Sequence, residues 1–372
     1  MPRRYVYAAA FALVGTLTAC TGGNADETPP TATQGAPSPA GSAAVVPAGD
    51  PRVLAEGLTG TPWELIVMDA ESSLVSFRDT GRIGELSPDG EVRELAVIEG
   101  VVAEGSSGLL GLAVLPGEPS HLYAYYTATD GQRIVRAPLT GSAGSYALGA
   151  FETVLGEIPA GERHNGGRIA FGPDGMLYAA VGDPDRTHAQ NPDSLAGKIL
   201  RLTPEGGIPA DNPDPDSYVY SLGHRNIEGL AWSEDGTMWA SEFGEDAWDE
   251  LNRIVPGGNY GWPEVEGEGG SSDFLEPVAT WSVADASPAG IAVVGDTVFM
   301  AALRGEALIA IDVSDPADAR STTHFRGEFG RLREVDVAAD GSLLLLTSNS
   351  DGNGDPREGD ERLLSVELEN GG

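Results

Sequence analysis

The sequence predicts an all-β protein built as a single six-bladed β-propeller, and three observations support that prediction. First, a short apolar strand, an Asp-Gly turn and a second apolar strand recur along the chain, which is a strong hairpin signal. Second, six copies over about 320 residues give roughly one copy per 50 residues, the spacing of four-stranded propeller blades. Third, long helical periodicity is absent, and only residues 249–254 suggest a turn of helix.

The hairpin repeat has three close copies and three looser ones. The close copies place (E/P/A)-D-G between the two strands and lie at 168–183, 230–244 and 335–349. The looser copies lie at 83–97, 112–128 and 291–305. The alternative is two β-sandwiches in tandem, but the even spacing and the lack of a linker-like stretch after Asp50 favour one ring. Loops at one end of such a ring converge on its axis, where we expect the functional residues.

The charge balance excludes two classes of partner. The chain carries 57 acidic and 22 basic residues, a formal net charge of −35, and Lys198 is its only lysine. A surface this acidic repels phosphate backbones and anionic lipid headgroups, so we expect neither nucleic-acid binding nor electrostatic docking to membranes. It also leaves many carboxylates for a hard cation such as Ca²⁺, although a solvated acidic surface explains most of them.

The N-terminal segment has the features of an exported, lipid-anchored protein. Arg3 and Arg4 precede an uncharged apolar stretch that ends at Ala19, which is typical of a signal peptide over residues 1–19. Leu17-Thr18-Ala19-Cys20 resembles a bacterial lipobox, which predicts acylation of Cys20, membrane attachment through that lipid alone and an extracytoplasmic location. Residues 20–50 then predict a flexible tether and residues 51–372 the propeller. The alternative is an ordinary secreted protein with an incidental cysteine.

Two histidines and a carboxylate-rich segment stand in turns that could carry chemistry. His164 and His224 lie in glycine-flanked turns ahead of apolar strands, where an imidazole is a plausible general base or a hydrogen-bonded bystander. Residues 244–252 concentrate four carboxylates beside irregular backbone, a weak Ca²⁺ signal without EF-hand spacing. Arg331 and Arg333 share one face of a predicted strand and suit either a polycarboxylate ligand or local salt bridges.

Several long motifs, taken in order, resemble the soluble dehydrogenases that use pyrroloquinoline quinone (PQQ), the glucose/sorbosone dehydrogenase family. The motifs are GLLG (108–111), HNGGRIAFGPDGMLYAAVGD (164–183), LAGKILRLTPEGGIPADNP (195–213), YSLGHRNIEGLAW (220–232), DELNRIVPGGNYGWP (249–263) and GRLREV (330–335). The resemblance covers about residues 55–368 and implies the same six-bladed propeller.

The resemblance also implies an activity and its catalytic residues. It implies oxidation of aldose sugars at C1 to lactones, with hydride passing to PQQ and then to an electron acceptor that the sequence does not identify. His164 matches the general base and Asp183 the carboxylate that orients it, while Arg225 and Asn226 match the pair at the reacting quinone carbonyl.

Further positions match the family's cofactor and metal contacts. Arg331 and Arg333 match contacts to the carboxylates of the cofactor, and Trp281 matches an aromatic side chain that lines it. The main-chain carbonyls of Gly244 and Glu245 match ligands of a Ca²⁺ that the quinone chelates, and Glu250 and Tyr260 match a second, structural Ca²⁺ site.

The chain departs from the family at four positions: Ser106, Arg163, Val283 and Leu303. Three of these changes remove polar contacts to quinone, and Arg163 stands where an acid often precedes the catalytic histidine. The first alternative is therefore a non-catalytic propeller that binds a sugar, glycan or protein partner after losing PQQ affinity. A different enzyme on the same scaffold, such as a Ca²⁺-dependent lactonase, is the second.

Overall fold

The computed structural model describes residues 44–371 except 116, 118 and 119. Within these residues the chain forms 25 strands in six antiparallel sheets and one short 3₁₀ helix, Pro316–Asp318. None of the helices described is long and apolar enough to cross a membrane. The predicted signal peptide, Cys20 and most of the predicted tether lie outside the described residues.

Each sheet has four strands in antiparallel order, and the second carries one short extra strand. The first sheet contains β2 (Pro62–Asp69), β3 (Ser72–Phe77), β4 (Arg82–Leu86) and β5 (Val92–Val97). The second contains β6 (Leu109–Leu115), β7 (His121–Ala128), β8 (Gly131–Thr140) and β10 (Glu152–Ile158), with β9 (Ala147–Leu148) beside β8. The third contains β11 (Gly166–Phe171), β12 (Leu177–Val181), β13 (Lys198–Leu202) and β14 (Val219–Leu222).

The remaining sheets repeat this order and close the ring. The fourth contains β15 (Ile227–Trp232), β16 (Met238–Glu242), β17 (Trp248–Ile254) and β18 (Ala279–Ser282). The fifth contains β19 (Pro288–Val294), β20 (Thr297–Ala302), β21 (Ala307–Asp312) and β22 (Arg320–His324). The sixth contains β23 (Leu332–Val337), β24 (Leu343–Thr347), β25 (Leu363–Asn370) and β1 (Val45–Ala55). The predicted six-bladed propeller is confirmed.

The sixth sheet joins the two ends of the chain. Strand β1 pairs with β25 from Val45 opposite Asn370 to Ala55 opposite Leu363, so the first strand of the propeller completes its last blade. This strand begins upstream of the boundary at residue 50 that the sequence predicts, and residues 45–50 belong to the sheet. Their Pro, Ala and Gly content is typical of a tether, but an outer edge strand tolerates such residues.

The Asp-Gly turns have the geometry that the repeat predicts. In three of them the Asp carboxylate accepts a hydrogen bond from the N–H two residues later, at 2.9–3.0 Å. The following glycines, Gly175, Gly236 and Gly341, have φ of +75°, +86° and +85°, which residues with a Cβ rarely adopt. Residues 83–97 also form the predicted hairpin, which consists of the outer strands β4 and β5. One detail of the prediction is wrong, because residues 249–254 belong to strand β17 and not to a turn of helix.

The hydrophobic core is divided among the interfaces between neighbouring sheets. Buried apolar side chains form six clusters, each shared mainly by two adjacent sheets. For example, Tyr123 and Tyr125 of β7 pack with Leu177 of β12 and Leu200 of β13. Burial of a large apolar side chain contributes about 1.5–3 kcal/mol, so this packing holds each blade against the next.

The first strands of the six sheets contact one another around the axis. Each has a β-bulge near its start, and the bulges bring a layer of charged side chains to the axis. We call this the axial charge layer; it consists of the buried residues Glu64, Arg168, Glu228, Arg333 and Glu334. The later residues of the same strands, including Met68, Val114 and Phe171, line a cavity of about 770 Å³ on one side of the layer. Because all six inner strands begin at the same end of the axis, this cavity lies opposite the loops that precede them.

Candidate active site

His164 and Arg225 meet at the end of the axis where the inner strands begin. His164 lies two residues before β11 and Arg225 two residues before β15, and Arg225 Nη2 donates a hydrogen bond to His164 Nε2 at 2.8 Å. His164 has φ of +57°, an unfavourable value that its neighbour Asn165 holds in place. Asn165 Oδ1 accepts a hydrogen bond from the N–H of Gly161, and its Nδ2 donates to the carbonyl oxygen of Gly161 and to Ser106 Oγ and Ser107 Oγ.

The contact with Arg225 defines the protonation state of His164. A guanidinium only donates hydrogen bonds, so Nε2 carries a lone pair and the ring proton is on Nδ1. Burial, followed by the positive charges of Arg225 and Arg163, lowers the pKa of His164 to about 4. The ring is therefore neutral and able to accept a proton at ordinary pH, which agrees with the predicted role as a base.

Asp183 supports His164 in a different way from the one predicted. A polar contact with the main chain of Asp183 acts against these effects and favours the protonated form of His164, which raises its pKa. The Asp183 carboxylate, which is fully buried, instead accepts hydrogen bonds from the N–H groups of His188 at 3.3 Å and Ala189 at 3.0 Å. The carboxylate thus organises the loop after β12 and contacts His164 through its charge alone.

The Asn226 side chain is also buried and hydrogen-bonded to other groups of the protein. Its Oδ1 accepts a hydrogen bond from the N–H of Gly166, and its Nδ2 donates to Glu228 Oε1 at 2.9 Å. The side chain is 2% exposed. Asn226 therefore ties the His164 turn to the axial charge layer, and its predicted contact with a quinone carbonyl stays a prediction.

Trp262 and Arg186 belong to the site, although the sequence reasoning missed both. The Trp262 ring lies under two guanidinium groups, with its centroid 5.3 Å from Arg225 Cζ and 4.8 Å from Arg186 Cζ. Arg186 also pairs with Glu245, so it bridges the loops after β12 and β16. The GNYGWP motif contains Trp262, but nothing in its spacing indicates that the ring reaches Arg225.

Arg331 and Arg333 do not form a matched pair on one face. Arg331 Nη2 binds Asp351 at 2.6 Å, whereas Arg333 Nη1 binds Glu228 at 2.7 Å and its Cζ lies 4.3 Å from the Trp63 ring centroid. The bulge at the start of β23 breaks the alternation that places residues i and i+2 on one face. Both arginines therefore already have acidic partners, but these partners lie in other segments of the chain and are not the local acids of the alternative that the sequence left open.

Trp281 and Leu303 pack mainly into the core. Trp281, in the outer strand β18, is half-buried against the cluster between the fourth and fifth sheets, and its place beside a cofactor stays a prediction. Leu303 is 3% exposed in the cluster between the fifth and sixth sheets. A lysine at position 303 would bury its charge in that cluster, so Leu303→Lys should not improve cofactor binding.

The turn after β16 presents main-chain groups in an ordered way. Glu266 Oε1 accepts hydrogen bonds at 2.8–3.2 Å from four successive N–H groups, those of residues 245–248. Burial raises the pKa of this carboxyl, but the four N–H groups outweigh burial and hold it below its usual value. Among the hydrogen bonds of the described residues, none ends on the carbonyl oxygens of Gly244 or Glu245. These two oxygens are therefore available to a cation.

A small cavity lies beside this turn. Its volume is about 10 Å³, and Glu242, Glu250, Glu266 and Tyr260 are among the residues that line it. Burial and the neighbouring charge of Glu242 raise the pKa of Glu250 to about 8. The Tyr260 hydroxyl donates to the carbonyl oxygen of Arg253, so it does not face the cavity as a free ligand. Oxygen donors around a space for one ion suit Ca²⁺, although no group of three or more acidic, His or Cys side chains in the described chain has ligand geometry.

The loop end of the axis also fits a planar anionic cofactor. Four buried donors there lack a hydrogen-bond partner in the described structure: Arg225 Nε, Trp262 Nε1, Arg333 Nε and Arg333 Nη2. Unpaired buried donors cost about 1–3 kcal/mol each, and a quinone that bears carboxylates supplies the acceptors they lack. A neutral histidine, an arginine and unpaired donors therefore lie together at one end of the propeller axis. This combination is typical of the active site of an enzyme.

Comparison with known proteins identifies the family. Residues 59–355 match the family model described as glucose/sorbosone dehydrogenase, and the chain belongs to that family, as the sequence motifs predict. Quinoprotein glucose dehydrogenase B of Acinetobacter calcoaceticus is 32% identical over 58% of this chain, and the match covers 54% of that protein. Aldose sugar dehydrogenase of Escherichia coli is 30% identical, over 78% of this chain and 88% of that protein.

A solved structure shows the same similarity. The PQQ-bound aldose sugar dehydrogenase of Streptomyces coelicolor is 47% identical, with a TM-score of 0.82, over 89% of this chain and 100% of that chain. This agreement extends over nearly the whole propeller. The chain is an oxidoreductase of the sugar dehydrogenase type.

Proposed function

We propose that this protein oxidises aldose sugars at C1 to lactones outside the cytoplasm, with PQQ as hydride acceptor and His164 as general base. The observation that supports the proposal most directly is the neutral imidazole of His164, whose Nε2 lone pair faces Arg225 at the loop end of the axis. The relatives named above are glucose and aldose sugar dehydrogenases, one of them with PQQ bound.

Three residues of this chain, His164, Arg225 and Asp183, take part in proton transfer. Arg225 Nη2 first gives up its hydrogen bond to His164 Nε2, and Nε2 then accepts the proton of the C1 hydroxyl. The main chain of Asp183 favours the protonated ring that results. The Arg225 guanidinium would then stabilise the negative charge that develops on the reacting carbonyl oxygen of the cofactor. PQQ, held by Arg225, Trp262 and the free donors of Arg333, would supply the two-electron acceptor for the hydride that leaves C1.

Calcium is part of the same proposal. The open carbonyls of Gly244 and Glu245 would hold one Ca²⁺ beside the cofactor, and the small cavity at Glu250 would hold a second, structural ion. A divalent cation there compensates the charges of Glu242 and Glu250, which otherwise repel each other in a buried space.

A quinone titration with matched variants tests the proposal. Purified protein with Ca²⁺, PQQ, an aldose and a dye acceptor should reduce the dye, and His164→Asn should abolish dye reduction while it leaves PQQ binding unchanged. His121→Asn, a histidine at the start of β7, should behave as wild type. PQQ binding without turnover in the wild type, or no binding at high micromolar PQQ, would instead favour the non-catalytic propeller.

The lipid anchor is proposed from the lipobox-like motif alone. In a bacterial host the wild type should partition with membranes, because a diacylated Cys20 supplies the two chains that stable attachment needs. Cys20→Ser should remain unprocessed or appear in the soluble extracytoplasmic fraction. Immunoblotting of the membrane and soluble fractions measures the difference, and a wild type found wholly in the soluble fraction would contradict acylation.

A further inference from the structure

The only lysine of the chain is buried beside the candidate site. Lys198, the first residue of β13, is fully buried, and its Nζ donates hydrogen bonds to three main-chain carbonyls. The acceptors are the carbonyl oxygens of His188 at 2.8 Å, Ala189 at 3.0 Å and Ala196 at 2.9 Å. A buried ammonium is costly unless it is fully hydrogen-bonded, so these three bonds take the place of its water.

Asp183 binds the opposite side of the same stretch of main chain. Its carboxylate accepts the N–H groups of His188 and Ala189, whose carbonyl groups bind Lys198. The two buried charges therefore bind the same short segment from opposite sides. The Asp183 carboxylate binds its N–H groups and the Lys198 ammonium binds its carbonyl groups. We call Asp183 and Lys198 the main-chain clamp, and the segment between them, residues 184–197, the clamped loop.

The clamped loop leads directly to the proposed base. Gln190 Nε2 donates to the carbonyl oxygen of Trp262 at 2.7 Å, and Arg186 lies over the Trp262 ring. The Trp262 ring in turn packs against Arg225, which donates to His164 Nε2. Only one aromatic ring and one arginine therefore separate the loop from the base.

We propose that Lys198 is a positioning residue of the reaction: with Asp183 it fixes the clamped loop, and the loop holds Trp262 and Arg225 at His164. The catalytic consequence of this inference depends on the proposed function, whereas the clamp itself is inferred from the geometry alone. An apolar residue of the same length would fill the space of the Lys198 stem. It would, however, leave three buried carbonyl groups without their donor and remove a positive charge near the Asp183 carboxylate.

The single lysine makes the clamp directly measurable. An amine-reactive acylating reagent can modify only Lys198 and the chain terminus, and peptide mass spectrometry gives the rate at Lys198. Burial lowers the pKa of Lys198 to about 8, so slow labelling reports a closed loop and not a lack of free amine. Arg186→Gln removes the loop's contacts with Glu245 and Trp262 and should speed labelling at least fivefold. The control Arg320→Gln, an exposed arginine of β22 paired with Asp318, should leave the rate unchanged.

Kinetics test the catalytic consequence separately. At saturating PQQ, Lys198→Met should lower kcat at least tenfold in the folded fraction while the KM for the aldose changes less than threefold. Arg186→Gln, whose side chain is half exposed, should lower kcat three- to tenfold and covers the case in which Lys198→Met does not fold.

The two experiments separate the inference from the function on which it rests. Equal labelling of wild type and Arg186→Gln would overturn the clamp whether or not the wild type oxidises an aldose. A Lys198→Met protein that melts at lower temperature but keeps wild-type kcat would overturn the positioning role. Failure of the wild type to reduce the dye would overturn the proposed function, and the labelling rates would still decide the clamp.

Discussion

The environment of His164 sets the direction of its proton transfer. Burial and two nearby guanidinium groups lower the pKa of His164 to about 4, so the base form predominates above about pH 5. The same positive charges oppose the imidazolium that forms when the ring accepts a proton. Arg225 is paired with the ring, whereas Arg163 is exposed and acts mainly through its charge.

Arg163→Glu should therefore move the acid limb of the pH–rate profile. In the wild type kcat/KM should fall only as the pH approaches 4. In the variant a carboxylate stabilises the imidazolium, and the midpoint should rise by roughly 0.5–1 pH unit. Dye-coupled aldose oxidation with saturating PQQ and Ca²⁺ gives the profile. Arg52→Glu, the same charge change on the outer strand β1, is the control, and coincident profiles for Arg163→Glu and wild type would contradict the electrostatic argument.

Single residues were predictable from the sequence where a motif fixes both residue type and loop position. His164 and Arg225 each stand two residues before an inner strand, and the structure brings them together as the family motifs imply. Trp262 and Lys198 act through tertiary contacts with segments far apart in sequence, so no local pattern identified them. Asn226 also bonds groups in other segments, Gly166 and Glu228, and the family motif alone did not predict these contacts.

At the scale of structural elements, the bulges of the inner strands decide which side chains reach the axis. Alternation predicts that Arg331 and Arg333 share a face, but the bulge in β23 separates their partners. The Asp-Gly repeat, in contrast, is a local signal, and most of its turns fell where it predicted them. Hairpins were therefore predictable from sequence, and the direction of side chains next to a bulge was not.

The turn after β16 and the small cavity at Glu250 should respond to Ca²⁺ as one element. A ligand that binds only the folded state stabilises it by RT ln(1 + [L]/Kd), about 2.7 kcal/mol at a hundredfold excess over Kd. A chelator should thus lower the melting temperature of the wild type, and Glu250→Gln should remove most of that response. Glu276→Gln changes a carboxylate that accepts the N–H of Gly269 outside the cavity and should respond as wild type. Differential scanning fluorimetry measures the shifts, and a wild-type curve indifferent to chelator would exclude the structural ion.

At the scale of the whole molecule, the axial charge layer closes the ring at its centre. Burial, opposed by the attraction of Arg168, raises the pKa of Glu334 to about 7, above its ordinary value of 4.5. A carboxyl with a raised folded-state pKa binds its proton more tightly in the folded chain. Its contribution to stability is therefore complete below about pH 4.5 and is lost as the pH rises through about 7.

Glu334→Gln mimics the protonated carboxyl and should flatten that dependence. Between pH 5 and pH 8 the free energy of unfolding should fall less in the variant than in wild type, by roughly 1–2 kcal/mol. Urea denaturation at the two pH values gives the difference. Glu268→Gln, an exposed acid in the connection after β17, controls for the general effect of removing one negative charge. Parallel pH dependences of Glu334→Gln and wild type would contradict the argument.

The pairing of β1 with β25 closes the ring at its circumference, so its removal tests how far the six blades depend on closure. A chain that begins at residue 56 lacks β1, which leaves the N–H and C=O groups of β25 unpaired along one edge. Its melting temperature should fall by roughly 5–10 °C relative to a chain that begins at residue 44 and keeps every described strand. The free edge should also promote association, which light scattering detects. A synthetic peptide of residues 44–55 should restore part of the stability, because it can pair with β25 in the same register. Equal melting temperatures for the two chains would mean that the interfaces between neighbouring sheets alone hold the propeller closed.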